Sequence, residues 1–218
     1  MTKKIKRLSD LLEKEYGKKS WKVHGDPLSV LIGTILSQNT SDNNSHKAFA
    51  NLKSRFGNWE EVRKAKVKTI AETIRSGGLA DIKAPRIKSI LNHIYEENRN
   101  LNLSFLKKWR TDKVKSWLKR FEGVGDKTAA CVLLFSLKRP TMPVDTHVLR
   151  VSKRLGLVPQ NLNATPAEDL LEKLIPKNWI YQFHLNLIAH GRIVCKAANP
   201  LCQDCVLLEN CEFGKKIR

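Results

Sequence analysis

The sequence lacks any long hydrophobic run. No apolar stretch among its 218 residues approaches the roughly 20 residues that a membrane span requires. The lysine-rich N-terminus has no apolar signal-peptide segment. The alternation of apolar and polar side chains that is typical of strands is largely missing, and no internal repeat stands out. These absences argue against a membrane protein and a β-rich fold, and they lead us to expect a cytoplasmic protein.

Acidic residues are scarce relative to basic ones. The chain has 40 lysines and arginines against 21 aspartates and glutamates, which gives a formal net charge of +19. A field this positive attracts polyanions, and the release of phosphate counterions favours their binding. Nucleic acid is therefore the first candidate partner. The alternative is a lysine-rich surface that only keeps the protein hydrated.

Cysteine is almost confined to one segment near the C-terminus. Cys131 lies alone in an apolar stretch, whereas the other four follow the spacing Cys195-x6-Cys202-x2-Cys205-x5-Cys211. In a cytoplasmic protein such a cluster indicates a metal site before it indicates disulfides. Structural zinc sites often use two C-x2-C pairs, and only one is present here. Four thiolates are also the usual ligands of a [4Fe–4S] cluster, so the spacing leaves both metals open.

The apolar periodicity predicts helices joined by short turns, and hence an all-α fold. Asp26-Pro27 has the form of an N-cap followed by proline at the first helical position. Thr165–Glu168 has the form of a capping box at the start of another helix. The other predicted helices cover Lys4–Tyr16, Leu28–Leu36, Asp42–Phe56 and the segments around 67–74, 87–94, 114–118 and 128–137.

A glycine pair separates two of these predicted helices. Gly123, Val124 and Gly125 would let the backbone turn tightly and bring its N–H groups close to an anion. The positive end of the following helix would favour a phosphate there. A Gly-x-Gly turn is common, but between two helices in a strongly basic chain it indicates a hairpin that grips the DNA backbone without reading sequence.

A lysine and an aspartate follow the hairpin. Lys127 is the second residue after Gly125, and Asp145 lies 18 residues further on, where a helix is expected to begin. Taken singly, Lys127 is an ordinary solvated lysine and Asp145 an N-cap. Their occurrence together, close behind the hairpin, favours a functional role over the ordinary role of either residue alone.

These motifs, with two shorter ones, resemble endonuclease III in the helix-hairpin-helix DNA glycosylase superfamily. The matching segments are Gly123–Ala129, Val144–His147, Leu36-Ser37-Gln38, Gly77-Gly78-Leu79 and the four spaced cysteines. They extend from residue 36 to residue 211, so the resemblance covers nearly the whole chain.

The resemblance implies two helical lobes with the active site in a cleft between them. A six-helix barrel with the hairpin would span 26–136, and the second lobe would combine 1–25 with 137–218. That lobe would carry a [4Fe–4S] cluster on the four cysteines. In such enzymes the damaged nucleotide is turned out of the duplex into the cleft.

The resemblance also implies residue roles. Lys127 would be the nucleophile, and Asp145 would face it across the cleft. Gln38 would fill the gap left in the duplex, and Leu79 would act as a wedge against the opposite strand. The remaining expected DNA contacts are Gly123, Val124, Gly125, Thr128 and His147. For His147, packing and a bridge toward the cluster are alternatives.

The implied function is that of a bifunctional DNA glycosylase and abasic-site lyase, expected to act as a monomer on the double-stranded DNA of the nucleoid.

Adenine-removing relatives carry a catalytic glutamate in the first barrel helix, but Leu28–Ser37 contains no carboxylate. Oxidised or reduced pyrimidines are therefore the expected substrates. Residues 39–44 depart from the usual endonuclease III sequence, so mismatched uracil or thymine stays an alternative. A non-catalytic DNA-damage-binding module and a zinc-stabilised structural protein are the alternatives from other classes.

Overall fold

The computed structural model describes residues 2–216 and contains helices and turns, with no strand in that range. The all-α prediction is confirmed. The α-helices in this part of the chain are α1 Thr2–Tyr16, α2 Pro27–Leu36, α3 Asp42–Phe56, α4 Trp59–Lys64, α5 Val67–Ile74, α6 Ala80–Asn98, α7 Thr111–Leu118, α8 Asp126–Phe135, α9 Thr146–Arg154, α10 Ala164–Leu174 and α11 Ile180–Ile193. Within residues 2–216, no helix is both long enough and apolar enough to cross a membrane.

The chain divides into two compact units. We call Val23–Leu137 the central unit, and Met1–Lys22 with Lys138–Arg218 the terminal unit. Helices α2 to α8 belong to the central unit, whereas α1 and α9 to α11 belong to the terminal unit.

Helix α2 forms the middle of the central unit because it is apolar around most of its circumference. It packs against α3, α6 and α8. Its buried side chains are Pro27, Leu28, Leu31, Ile32, Ile35 and Leu36. The backbone N–H and C=O groups at the ends of a helix have no partners within the helix. Because the side chains of α2 are mostly apolar, neighbouring residues must supply hydrogen-bond partners for these groups.

The terminal unit is organised around α11, which packs against α1 and α9. Ile5, Leu8 and Leu12 form the buried face of α1. At Gly191 of α11, a Cβ atom would lie 3.0 Å from His147 Cβ and 3.2 Å from Val151 Cγ2. The absence of a side chain at Gly191 therefore permits the close approach of α9 and α11.

Several local features differ from the sequence-based expectations. The prediction of a capping box at Thr165–Glu168 was wrong, because α10 already begins at Ala164 with Asn163 as its N-cap. Helix α4 was not predicted, and neither was α11. Its buried face includes His184, Asn186 and His190, so its apolar periodicity is interrupted by polar residues.

The N-cap of α2 yields a stability prediction. Asp26 Oδ1 accepts hydrogen bonds of 3.0 Å from the backbone amides of Leu28 and Ser29. We expect Asp26→Ala to lower the free energy of unfolding by about 1 kcal/mol, since both amides lose their acceptor. Denaturant titration measures this change.

Lys66 provides the matched control for Asp26. It occupies the N-cap of α5 and makes no side-chain cap hydrogen bond. Lys66→Ala should therefore change the free energy of unfolding by less than about 0.5 kcal/mol. Equal losses in the two variants would contradict the capping role of Asp26.

Candidate functional site

The predicted hairpin joins α7 to α8 in the central unit. Gly123 has φ +80°, and a Cβ atom there would lie 3.1 Å from Arg86 Cδ. This position therefore favours glycine for both its conformation and its close contact. Gly125 is different, because its φ is −94° and a Cβ atom there would meet no other atom within 4 Å. It is the N-cap of α8 and leaves open space beside the first turn of that helix.

Gln38 is joined to this hairpin. Its Nε2 atom donates a 2.9 Å hydrogen bond to the carbonyl of Gly123 and lies 3.4 Å from Thr128 Oγ1. Thr128 is buried in the first turn of α8, and Val124, which follows Gly123 in the chain, is also buried. The structure thus brings together four of the residues predicted to contact DNA, from segments 85 positions or more apart in the chain.

Leu79 lies at a strained and exposed position of the same unit. It is the N-cap of α6 with φ 49°, in the left-handed region that a leucine rarely adopts. Its side chain is 48% exposed, and Ile82 one turn further along is 46% exposed. An apolar residue held outward in this conformation costs free energy, which is a recurrent property of functional positions.

Lys127 lies in the first turn of α8 and is half-buried. Its amine makes no hydrogen bond or ion pair with any other residue in 2–216. The adjacent Asp126 is engaged elsewhere, because its Oδ1 lies 2.6 Å from Lys119 Nζ and 3.7 Å from Lys115 Nζ. The carboxylate next to Lys127 therefore leaves the Lys127 amine available.

Asp145 is the N-cap of α9 in the terminal unit. Its Oδ1 accepts a 2.7 Å hydrogen bond from the backbone amide of Val148. The capping role considered for Asp145 is confirmed. Since this bond uses one oxygen, Oδ2 keeps its acceptor capacity for another group.

His147 faces Arg150 in the same helix. Its Nδ1 lies 3.2 Å from Arg150 Nη2, which also donates a 2.7 Å hydrogen bond to the Gly191 carbonyl. Arg150 Nε donates to the carbonyl of Cys195 at 3.0 Å. His147 is therefore linked to the cysteine segment through Arg150, and it packs between α9 and α11.

The four clustered cysteines line one cavity in the terminal unit. Cys195, Cys202, Cys205 and Cys211 share it with apolar side chains that include Val151, Leu155 and Leu208. None of the four forms a disulfide. Within the described range, no three histidine, cysteine, aspartate or glutamate side chains are placed to hold a single metal ion.

Arg154 and His190 connect this cavity to the helices. Arg154 Nη1 lies 3.3 Å from Cys195 Sγ and donates a 2.7 Å hydrogen bond to the Lys196 carbonyl. His190 Nε2 lies 3.6 Å from Cys205 Sγ, and its Nδ1 lies 2.9 Å from the Tyr16 hydroxyl. Burial lowers the pKa of His190 to about 4 and raises the pKa of the Cys205 thiol to about 11. The protein surroundings alone therefore disfavour charge on both groups.

Comparison with known proteins identifies the family. The family described as HhH-GPD superfamily base excision DNA repair protein matches residues 32–177. The chain belongs to this superfamily. The match includes the hairpin, Lys127 and Asp145, but it ends before the four cysteines.

Individual relatives agree with this assignment. Endonuclease III of Thermotoga maritima is 36% identical over 191 residues, which cover 88% of this chain and 85% of the relative. A protein of Arabidopsis thaliana named as a DNA glycosylase is 42% identical over 166 residues, and this match spans 76% of the chain but only 57% of the plant protein.

A solved structure of a trapped covalent intermediate of endonuclease III with DNA is similar over all of this chain and 99% of that one. The TM-score is 0.84 and the sequence identity is 30%. The resemblance to endonuclease III is confirmed, and the chain is a DNA glycosylase of base excision repair.

Sequence reasoning missed several residues that organise these sites. Arg150, Arg154 and His190 support the cysteine segment, and Lys83 is buried beneath the segments that carry Gln38 and Leu79. Each belongs to a residue type that is usually exposed or only partly buried, and no short motif distinguishes it. Their contacts join segments that are distant in sequence, so the amino-acid sequence gives no direct signal for them.

Proposed function

We propose that this protein is a bifunctional DNA N-glycosylase and abasic-site lyase that removes oxidised or reduced pyrimidines from double-stranded DNA. The observation that carries the proposal is the uncommitted Lys127 amine, in the helix turn directly after the hairpin. A covalent intermediate has been trapped for endonuclease III, to which this chain is 30% identical in that comparison. Such an intermediate requires a protein nucleophile, and Lys127 has the right chemistry for it.

DNA binding in this proposal depends on the central unit. The open first turn of α8 offers backbone N–H groups and a helix N-terminus to a phosphate, and Gly125 has no side chain in the way. Gln38 would exchange its bond with Gly123 for contacts inside the duplex, and exposed Leu79 would enter the opposite strand. His147 would contribute from the terminal unit.

The reaction begins with loss of the damaged base. Lys127, after losing a proton, attacks C1′ while the C1′–N bond breaks, and the electron pair leaves with the base, which takes up a proton. The sugar carries positive charge as this occurs. We propose that ionised Asp145, from the terminal unit, stabilises that charge through Oδ2 while Oδ1 remains bound to Val148.

Strand cleavage follows from the covalent intermediate. The sugar ring opens to give an imine between Lys127 and C1′. Removal of a C2′ proton then expels the 3′ phosphate by β-elimination. Water hydrolyses the imine, which releases the cleaved strand and restores the amine, so the protein is unchanged over the cycle.

One feature bears on the expected substrate class and another on the expected reaction. Helix α2 contains no carboxylate, in contrast to the first barrel helix of adenine-removing relatives. The lysine at position 127 provides the amine needed for a lyase step. Residues 39–44 depart from the usual endonuclease III sequence, so excision of mismatched uracil or thymine is the second candidate.

We further propose that the central unit is the helical barrel domain and the terminal unit the cluster domain, acting on chromosomal DNA in the cytoplasm. The four cysteines fit a [4Fe–4S] cluster because they line one cavity and none of them forms a disulfide. Cys195, Cys202, Cys205 and Cys211 would hold the cluster. When bound, it would supply positive charge that favours the thiolates and fixes the fold of this segment.

A lesion panel with borohydride trapping tests the catalytic proposal. Duplexes carry thymine glycol, 5-hydroxycytosine, uracil opposite guanine, or an abasic site. The parent protein should release the oxidised pyrimidines and form a trapped adduct with them and with the abasic site. Lys127→Gln should lose trapping by at least about 100-fold and still bind the abasic duplex, because only the nucleophile is removed.

Lys173→Gln is the matched control, since it removes one positive charge from an exposed position of α10. It should trap like the parent. Trapping that survives in Lys127→Gln would exclude Lys127 as nucleophile. Activity confined to the uracil mismatch would favour the second candidate substrate class.

Loss of one cysteine ligand tests the cluster. Cys205→Ser should abolish the broad visible absorbance and reduce bound iron well below about four atoms per chain. Cys131→Ala should retain both, because Cys131 is buried in α8 of the central unit and does not line the cavity. A zinc-loaded, colourless parent protein would contradict the proposal, as would full iron content in Cys205→Ser.

A further inference from the structure

A lysine is buried at the start of α6. Lys83 is only 1% exposed, although lysine is almost never fully buried unless it is paired. Its Nζ donates two hydrogen bonds of 2.8 Å, one to the carbonyl of Leu36 and one to the carbonyl of Gly77. Burial lowers the pKa of Lys83. Placing this group in the core is costly, and the two carbonyls compensate for the lost water.

The two carbonyls belong to the segments that carry the candidate DNA probes. Leu36 is the last residue of α2 and lies two positions before Gln38. Gly77 lies two positions before Leu79. The last carbonyls of a helix lack intrahelical partners and form its negative end, so a cation is a suitable partner for Leu36.

The Gly77 segment is held from its other side by α3. A Cβ atom at Gly77 would lie 2.9 Å from Ala48 Cβ, so the backbone packs directly on that helix. One Nζ atom therefore connects the end of α2 with a closely packed turn. Beyond this turn, Leu79 and Ile82 point outward while Lys83 points into the core.

We propose that Lys83 is a positioning residue that fixes the Gln38 segment and the Leu79 segment in one geometry, so that gap filling and strand wedging occur together. This inference rests on the roles proposed above for Gln38 and Leu79. Lys83 itself does not contact DNA. Without it, the two carbonyls lose their shared donor and each segment can move independently.

Helix α6 provides a matched control in Lys88. Its Nζ donates to the carbonyls of Arg63 and Ala65 at 2.9 Å and 2.5 Å, so it makes the same kind of contact five residues further along. Those carbonyls lie at the end of α4 and not next to Gln38 or Leu79. A defect that appears when Lys83 is replaced, but not when Lys88 is replaced, therefore results from the location of Lys83. It does not result from the general cost of removing a hydrogen-bonded lysine.

The test uses a duplex with a tetrahydrofuran abasic analogue opposite 2-aminopurine. Insertion of the wedge should unstack the 2-aminopurine and raise its fluorescence. The parent and Lys88→Met should give this rise and should prefer the analogue over undamaged duplex. Lys83→Met should lose most of the rise, and its preference should fall by about tenfold, which corresponds to about 1.4 kcal/mol. Its affinity for undamaged duplex should stay within about threefold of the parent, because phosphate contacts are unaffected.

Circular dichroism and thermal melting establish that each variant is folded. If Lys83→Met does not fold, Lys83→Gln replaces it, because the shorter amide reaches one carbonyl at most. Lys83→Arg, which keeps a charged donor, should recover part of the fluorescence rise. Equal behaviour of the Lys83 and Lys88 variants would overturn the inference. A parent protein that shows neither fluorescence rise nor preference would instead overturn the proposed function itself.

Discussion

The turn at Gly123 is the constraint on which the candidate DNA surface of the central unit depends. Its positive φ and the contact with Arg86 favour glycine at this position. Its carbonyl accepts the hydrogen bond from Gln38. The same turn sets the direction of α8 and hence the placement of Lys127 in its first turn. One backbone conformation thus determines the placement of three features: the amides that we propose bind a phosphate, the glutamine that we propose enters the duplex, and the candidate nucleophile.

The terminal unit depends instead on the close packing of α9 and α11 at Gly191. This packing lets Arg150 reach both the Gly191 carbonyl and the Cys195 carbonyl. Arg154, one turn later on α9, reaches Cys195 Sγ and the following backbone. The arginines therefore tie the start of the cysteine segment to the helix that Asp145 caps, so the candidate carboxylate and the cysteine cavity belong to one packed structure.

Much of this organisation was accessible from the sequence. The caps at Asp26 and Asp145 and the hairpin glycines follow from local rules, and the helices around them have clear apolar periodicity. The spacing of the cysteines indicated a shared site, and the four do line one cavity. These predictions succeeded because each depends on residues close together in the chain.

The remainder required long-range packing. No local rule indicates that Lys83 is buried, because its two acceptors are backbone carbonyls, one of them 47 residues away. The bond from Gln38 to Gly123 joins residues 85 positions apart, and the contact of Tyr16 with His190 joins residues 174 apart. The left-handed backbone conformation of Leu79 could not be predicted from the sequence either, since leucine does not favour it.

We propose that an amine on α8 and a carboxylate at the start of α9 serve one reaction. The most direct test is single-turnover release of thymine glycol by Asp145→Asn. Asparagine keeps an oxygen for the Val148 amide, so the cap, the melting temperature and DNA affinity should be preserved. We expect base release to slow by about 100-fold or more, because the charge proposed to stabilise the sugar cation is gone. Release at the rate of the parent protein would contradict it, and Asp145 would then be a helix cap alone.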